Sequence, residues 1–217
     1  MRSSAVESGE ARPARRCLII SGGAFDPAAA HEAGDYVIAC DRGYVHAQAL
    51  GITPDLFVGD FDSFAGELDG AVSVLRLPCV KDDTDTMAAV KAALERGFRR
   101  IALCCALGGR ADHTIANYQS ALYAARRGAE VSILASDTRV RFLHEGTIVL
   151  ERAEGWSLSL FSAGDRCEGV SISGAKYEMA EGLLTGDFPL GVSNEWREDT
   201  VTVRVRRGTL MIVESRM

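Results

Sequence analysis

Short apolar runs recur along the first two-thirds of the chain, and most are closed by glycine or acid. Cys17-Leu18-Ile19-Ile20 leads into Ser21-Gly22-Gly23, Tyr36-Val37-Ile38-Ala39-Cys40 into Asp41-Arg42-Gly43, and Leu56-Phe57-Val58 into Gly59-Asp60. Val72-Ser73-Val74-Leu75 follows, then Ile101-Ala102-Leu103-Cys104-Cys105 ahead of Gly108-Gly109, then Val131-Ser132-Ile133-Leu134. Runs this short and this apolar predict strands buried on both faces. Helical patterns lie between them: a short one over Val45–Leu50, an Ala-rich one over Thr86–Arg96, and one over Thr114–Arg127 that stops at Gly128, a C-cap residue. Strand, polar turn and helix in repetition predict βαβ units, hence an α/β region with a mostly parallel sheet flanked by helices and right-handed crossovers.

The texture changes after about Ser136. Helical patterns stop, and short alternating segments take over at Ile148–Leu150, Trp156–Phe161, Val170–Ile172, Val201–Val205 and Leu210–Val213. Val201-Thr202-Val203-Arg204-Val205-Arg206 alternates strictly, as a strand with one dry and one wet face does. These segments predict a small antiparallel β-sandwich. The expected organisation is a disordered tail over 1–15, an α/β domain over 16–136 and a β-sandwich domain over 140–217.

Composition excludes some functions. A net charge of −6 and a pI near 5.3 leave no basic surface for nucleic acid, yet permit one local cationic or metal-loaded site. No stretch approaches the roughly 20 apolar residues that span a bilayer. Residues 1–16 lack the apolar centre of a signal peptide, which predicts a cytoplasmic protein. The cysteines (Cys17, Cys40, Cys79, Cys104, Cys105 and Cys167) show no CxxC spacing and read as reduced, buried thiols rather than a zinc or redox site.

The candidate chemistry sits at the carboxyl ends of the predicted strands, where open parallel sheets gather ligands. In Gly59-Asp60-Phe61-Asp62-Ser63, Asp60 and Asp62 are two apart, so an extended chain points both carboxylates to one side, as a hard cation requires. A polar turn accounts for the same residues. Lys81-Asp82-Asp83-Thr84-Asp85-Thr86 places three carboxylates before the Ala-rich helix. One would suffice as a cap, and a divalent cation would relieve the repulsion among three. Lys81 could meet a phosphate. In Gly108-Gly109-Arg110-Ala111-Asp112-His113 the glycines let backbone N–H groups approach an anion, Arg110 can clamp a phosphate, and Asp112 can hydrogen-bond an alcohol or hold metal. Gly22-Gly23 and Asp41-Arg42-Gly43 are weaker versions of the same pattern, and no Walker A loop occurs. Together these strand ends point to a Mg²⁺–nucleotide site with the reaction left open.

Read in order, the clusters resemble the thiamine pyrophosphokinase family. Asp41-Arg42-Gly43, Pro54-Asp55 with Gly59–Ser63, Lys81–Asp85 and Gly108–His113 with Asn117 carry the likeness, as do Gly174-Ala175-Lys176-Tyr177 and Gly191-Val192-Ser193-Asn194-Glu195. Ala175 departs from the leucine usual in the family. The resemblance implies an ATP-binding α/β domain, a thiamine-binding β-sandwich, and a homodimer with thiamine near the subunit interface. It implies attack of the thiamine primary alcohol on the β-phosphorus of ATP, giving thiamine diphosphate and AMP. Asp60, Asp62 and Asp85 match the positions for Mg²⁺ and phosphates. Arg110 and Asp112 match those facing the phosphates and the thiamine hydroxyl. Gly22, Gly23, Asp41, Arg42, Gly43, Lys81, Gly108, Gly109 and His113 are candidates for holding the nucleotide. Ser193 and Asn194 match the thiamine segment, and Trp196 beside them is either an aromatic face for that cation or a core residue. Two other readings are weighed. A metal-dependent nucleotide-sugar transferase explains Asp60 and Asp62 but not Ser193-Asn194. A non-catalytic nucleotide or thiamine sensor leaves the intact acid set unexplained.

Overall fold

The structure, a computed structural model, describes residues 15–28, 31–60, 66, 68–78 and 82–217. The expected tail over 1–15 lies almost wholly outside these residues; Arg15 is described and donates to the Gly34 carbonyl at 2.8 Å.

Each apolar run of the first two-thirds forms a strand. These are β1 (Arg16–Ile20), β2 (Tyr36–Cys40), β3 (Leu56–Gly59), β4 (Ser73–Arg76), β5 (Arg100–Cys104) and β6 (Glu130–Leu134). They pair in parallel in the order β4-β3-β2-β1-β5-β6. β1, β2, β3 and β5 are buried on both faces, as expected, but β4 is the sheet's outer edge and its side chains are largely exposed. Its apolar run reads like a central strand because sequence alone does not say which strand lacks a second neighbour.

The helices are α1 (Gly43–Ala49), α2 (Asp85–Glu95) and α3 (Ala111–Ala125). Alternation along the strands decides where they dock. Cys17, Ile19, Ile38, Cys40, Leu56 and Val58 face the alanines of α2 and α3, while Leu18, Ile20 and Val37 face Ala47 of α1. Small side chains let α2 and α3 lie close to the sheet and to each other. Thr84 caps α2, its Oγ1 accepting from Met87 N at 3.1 Å. Gly128, at φ +79°, ends α3 as expected, with Ala129 N returning to the Ala124 carbonyl.

β7 (Thr138–Glu151) pairs antiparallel with β6 and extends the parallel sheet. β8 (Trp156–Ser162), β9 (Arg166–Ser173), β10 (Met179–Thr185), β11 (Gly191–Asn194) and β12 (Thr200–Arg216) complete the fold. The sandwich arises because β7 and β12 are long enough to belong to two layers. The carboxyl half of β12 pairs with β8, which carries β11, and its amino half pairs with β9, which carries β10. A register shift between Val205 and Thr209 marks the passage from one layer to the other. Leu158, Leu160, Leu210 and Ile212 of one layer meet Val170, Ile172, Leu184, Val201 and Val203 of the other in one dry core. The fold class is therefore the expected one, α/β followed by an antiparallel sandwich. Two details differ. The segments expected at 201–205 and 210–213 are one strand, because the polar Arg206-Arg207-Gly208 interruption is a bulge and not a turn. β10 carries no alternation to predict it.

Candidate active site

The chain leaves β1 toward β2 and leaves β5 toward β6, on opposite sides, so the carboxyl ends of these neighbouring strands open a crevice between diverging connections. A cavity of about 660 Å³ occupies that place. Its wall gathers Gly22, Gly23, Ala24 and Phe25 after β1, Asp41 and Arg42 after β2, and Asp60 after β3. The first turn of α2 adds Thr84, Asp85 and Thr86, and the entry to α3 adds Gly108, Gly109, Arg110, His113 and Asn117.

The wall is built by close backbone approaches. Gly23 N donates to the Cys105 carbonyl at 2.8 Å and Ala24 N to the Leu107 carbonyl at 3.0 Å. A Cβ on Gly23 would lie 2.6 Å from that Cys105 oxygen, and one on Gly43 would lie 2.1 Å from the Ile20 oxygen, so neither position has room for a side chain. Gly108 and Gly109 take φ of +73° and +70°, turning the chain so that α3 starts at the cavity. Behind the wall Ser21 Oγ meets Thr86 Oγ1 at 3.1 Å, and the buried Asn117 donates to the Ala106 carbonyl at 2.7 Å. His46 of α1 is buried against the Ser21 carbonyl, 3.2 Å from Nδ1, and burial lowers its pKa, keeping the ring neutral with its Nδ1–H donating.

The acidic candidates separate. Asp60 and Asp85 share the cavity, while Asp62 and Lys81 lie outside the described residues. Asp82 and Asp83 face a second hollow beside Leu77 and Pro78, and Asp83 is paired with Lys91 at 2.6 Å. Of these three carboxylates, only Asp85 lines the cavity. Among the described residues no three His, Cys, Asp or Glu side chains form a metal cluster. Two carboxylates suit Mg²⁺, which keeps water and phosphate oxygens for most of its positions. Arg110 grips Asp112 through two contacts, Nε–Oδ1 at 3.1 Å and Nη2–Oδ2 at 2.6 Å. That pairing raises the guanidinium pKa and lowers the carboxyl pKa. Both side chains are exposed, and Arg110 reaches the cavity wall where Asp112 does not.

The candidates of the β-sandwich lie elsewhere. Asn194 is buried, its Oδ1 accepting from Tyr177 N and Glu195 N at 3.0 Å and its Nδ2 donating to the Tyr177 carbonyl at 2.7 Å. It fastens β11 to the Gly174–Tyr177 segment, which the Lys176–Glu195 pair at 2.9 Å also ties down. Ser193 beside it is exposed, at φ +58°. Trp196 offers no open aromatic face. It is 7% exposed within the sandwich core, its Nε1 directed at the Leu150 carbonyl at 3.4 Å. Of the two roles open to it, the structure selects the core one.

The thiamin pyrophosphokinase catalytic-domain model matches residues 29–133, which hold most of the cavity wall, and the thiamin pyrophosphokinase vitamin B1 binding-domain model matches residues 145–210, which hold Ser193 and Asn194. The chain belongs to the thiamin pyrophosphokinase family. Membership makes it an ATP-dependent transferase acting on thiamine. It is 26% identical over 184 residues to the thiamine pyrophosphokinase of Bacillus subtilis strain 168, covering 82% of this chain and 86% of that one. Its fold is similar to the crystal structures of thiamine pyrophosphokinase from Bacillus subtilis (TM-score 0.85, 24% identity, covering 94% of this chain and 100% of that one) and from Geobacillus thermodenitrificans (TM-score 0.82, 24%, 93% and 98%). The likeness extends to thiamin pyrophosphokinase from Candida albicans at 14% identity (TM-score 0.75, 93% and 89%).

The cavity wall also holds Phe25, Thr84 and Thr86, which were not among the predicted site residues. Phe25 had a signal: an aromatic residue set in a Gly-Ala-Phe-Asp-Pro turn at a strand's carboxyl end, where apolar side chains are seldom needed for packing.

Proposed function

We propose that the chain transfers the pyrophosphoryl group of ATP to the primary hydroxyl of thiamine, in a homodimer, with Mg²⁺ held by Asp60 and Asp85 and by Asp62 of the same motif. The observation that carries this reading is the single cavity in which Asp60, Asp85, the Gly108-Gly109 turn and the starts of α2 and α3 meet at the sheet's switch point. Backbone N–H groups at two helix starts and the Arg110 guanidinium offer fixed positive charge to a triphosphate. A magnesium ion there would neutralise phosphate oxygens and leave the β-phosphorus open to attack. The thiamine oxygen bonds to that phosphorus, the bond from it to the oxygen bridging the α-phosphate breaks, AMP departs with that bridging oxygen and the alcohol proton passes to solvent water. Asp112 orients the alcohol. Held low by Arg110, it is a weak base, so alignment carries more of the rate than proton abstraction. Gly22, Gly23, Asp41, Arg42 and His113 line the cavity of the nucleotide half, residues 16–136, and Gly43 shapes it.

The thiamine half, residues 140–217, contributes no described residue to the cavity wall. In this reading Ser193, and Asn194 through the backbone it fixes, reach the nucleotide from another copy. Leu183, Phe188, Leu190 and Val192 expose apolar side chains on and between β10 and β11, surface that a second copy would cover. Mixing an Asp85→Asn chain with an Asn194→Ala chain should restore part of the lost activity, since one site of the mixed dimer then has both residues intact. No recovery on mixing means that each chain holds its whole site. A cytoplasmic location suits the reading: among the described residues no helix is long and apolar enough to cross a membrane, and the described cysteines are buried free thiols.

Product analysis tests the transfer itself. With thiamine, ATP and Mg²⁺, AMP should accumulate in step with thiamine diphosphate. ADP together with thiamine monophosphate would make the chain an ordinary kinase.

A further inference from the structure

The cavity is chemically two-sided because the sheet beneath it is. Asp85, Thr86, Arg110, His113 and Asn117 belong to α2 and α3 or their entries, which cover one face of the sheet. α1 covers the opposite face. On the α1 side the wall carries one aromatic side chain, Phe25, 47% exposed, with its ring centroid 5.6 Å from that of His46 and tilted 54° to it.

A lone exposed phenylalanine needs no explanation. Phe25 differs in how firmly it is presented. The residues before it are pinned by Gly23 N to Cys105 O and Ala24 N to Leu107 O. The residue after it, Asp26, accepts from Ser136 N at 2.7 Å and from Ala28 N at 2.8 Å. Beneath it, His46 is itself fixed by the Ser21 carbonyl. An aromatic ring on a backbone held at both sides loses little further freedom when a flat ligand lands on it.

We infer that Phe25 is the platform on which the nucleobase of ATP stacks, with His46 as its buried support. This rests on the nucleotide reading of the cavity. Asp85, Arg110 and the starts of α2 and α3 lie on one side; the α1 side adds the Arg42 guanidinium but is also where the Phe25 ring stands, and the molecule that carries the phosphates also carries a flat ring at its other end. A ligand spanning the cavity thus meets charge at one side and an aromatic face at the other. Stacking offers area rather than a hydrogen-bond pattern, so Phe25 contributes affinity for a base without selecting among bases of equal size.

The test is calorimetric titration of the whole protein with ATP and, separately, with inorganic triphosphate, both with Mg²⁺. Phe25→Ala should weaken ATP roughly tenfold, the worth of one base–aromatic stack, and leave triphosphate unchanged. Phe25→Tyr should restore ATP binding. In turnover, the KM for ATP should rise while kcat and the KM for thiamine hold. Unchanged ATP affinity in Phe25→Ala, equal loss for ATP and triphosphate, or a rise confined to the thiamine KM would each overturn the assignment. Failure of the unsubstituted protein to bind either ligand would instead remove the nucleotide reading on which it stands.

Discussion

Asp85→Asn should lower kcat/KM by at least about a hundredfold while the protein melts within a few degrees of the parent. The magnitude is that of removing one fixed group that stabilises charge at a reacting centre, roughly 10²–10³ in rate. The substitution keeps the size of the side chain and removes the charge that a hard cation needs. The fold should tolerate it because α2 takes its cap from Thr84, whose Oγ1 holds Met87 N. The loss to stability includes the favourable placement of an anion in the first helical turn, about 0.3–1 kcal/mol. Activity of the variant should also demand more Mg²⁺ than the parent. Near-parental turnover at limiting Mg²⁺ would remove Asp85 from the metal-binding group.

Gly43→Ala should strongly damage stability. Alanine is the better helix former by about 1 kcal/mol, so propensity alone predicts stabilisation. Its Cβ, however, would stand 2.1 Å from the Ile20 oxygen and 2.8 Å from the Ile20 carbonyl carbon, both backbone atoms of a central strand. Neither can swing aside as a side chain would, so α1 must lift from β1. We expect a net loss of about 3 kcal/mol, at the upper end of overpacking costs. In a chain of this length that is a fall in Tm of about 6–12 °C by thermal denaturation. Gly70→Ala, where no described atom lies within 4 Å, should change little. A Gly43→Ala protein as stable as the parent would mean that the Asp41-Arg42-Gly43 corner is not the tight joint described here.

The parallel sheet was legible because its central strands are buried on both faces, and burial leaves an unbroken apolar run such as Cys17–Ile20 or Tyr36–Cys40. Strand order and edges were not, since β4 differs from β3 only in lacking a neighbour. The sandwich was legible in its alternation but not in its continuity: Gly208 reads as a turn whether the chain reverses or, as here, bulges and runs on. Of the candidate residues, Asp60, Asp85, Arg110 and the glycine turns come together in one cavity because strand ends collect at one rim. Trp196 and Asn194 show the limit. Adjacent polar and aromatic residues on a short strand look alike whether they face a ligand or hold a loop, and only the Tyr177 and Leu150 partners reveal that these two point inward. Phe25 went unread for the complementary reason: an aromatic side chain counts as core by type, and its exposure follows from where the switch point falls.

The transfer of two phosphorus atoms together is the central claim, and labelled ATP tests it directly. With ATP radiolabelled at the β-phosphorus in one reaction and at the γ-phosphorus in another, both labels should enter thiamine diphosphate in equal amounts, and the AMP formed should carry neither. Label reaching thiamine from the γ-position alone, with β-labelled ADP released, would contradict attack at the β-phosphorus and with it this account of the cavity.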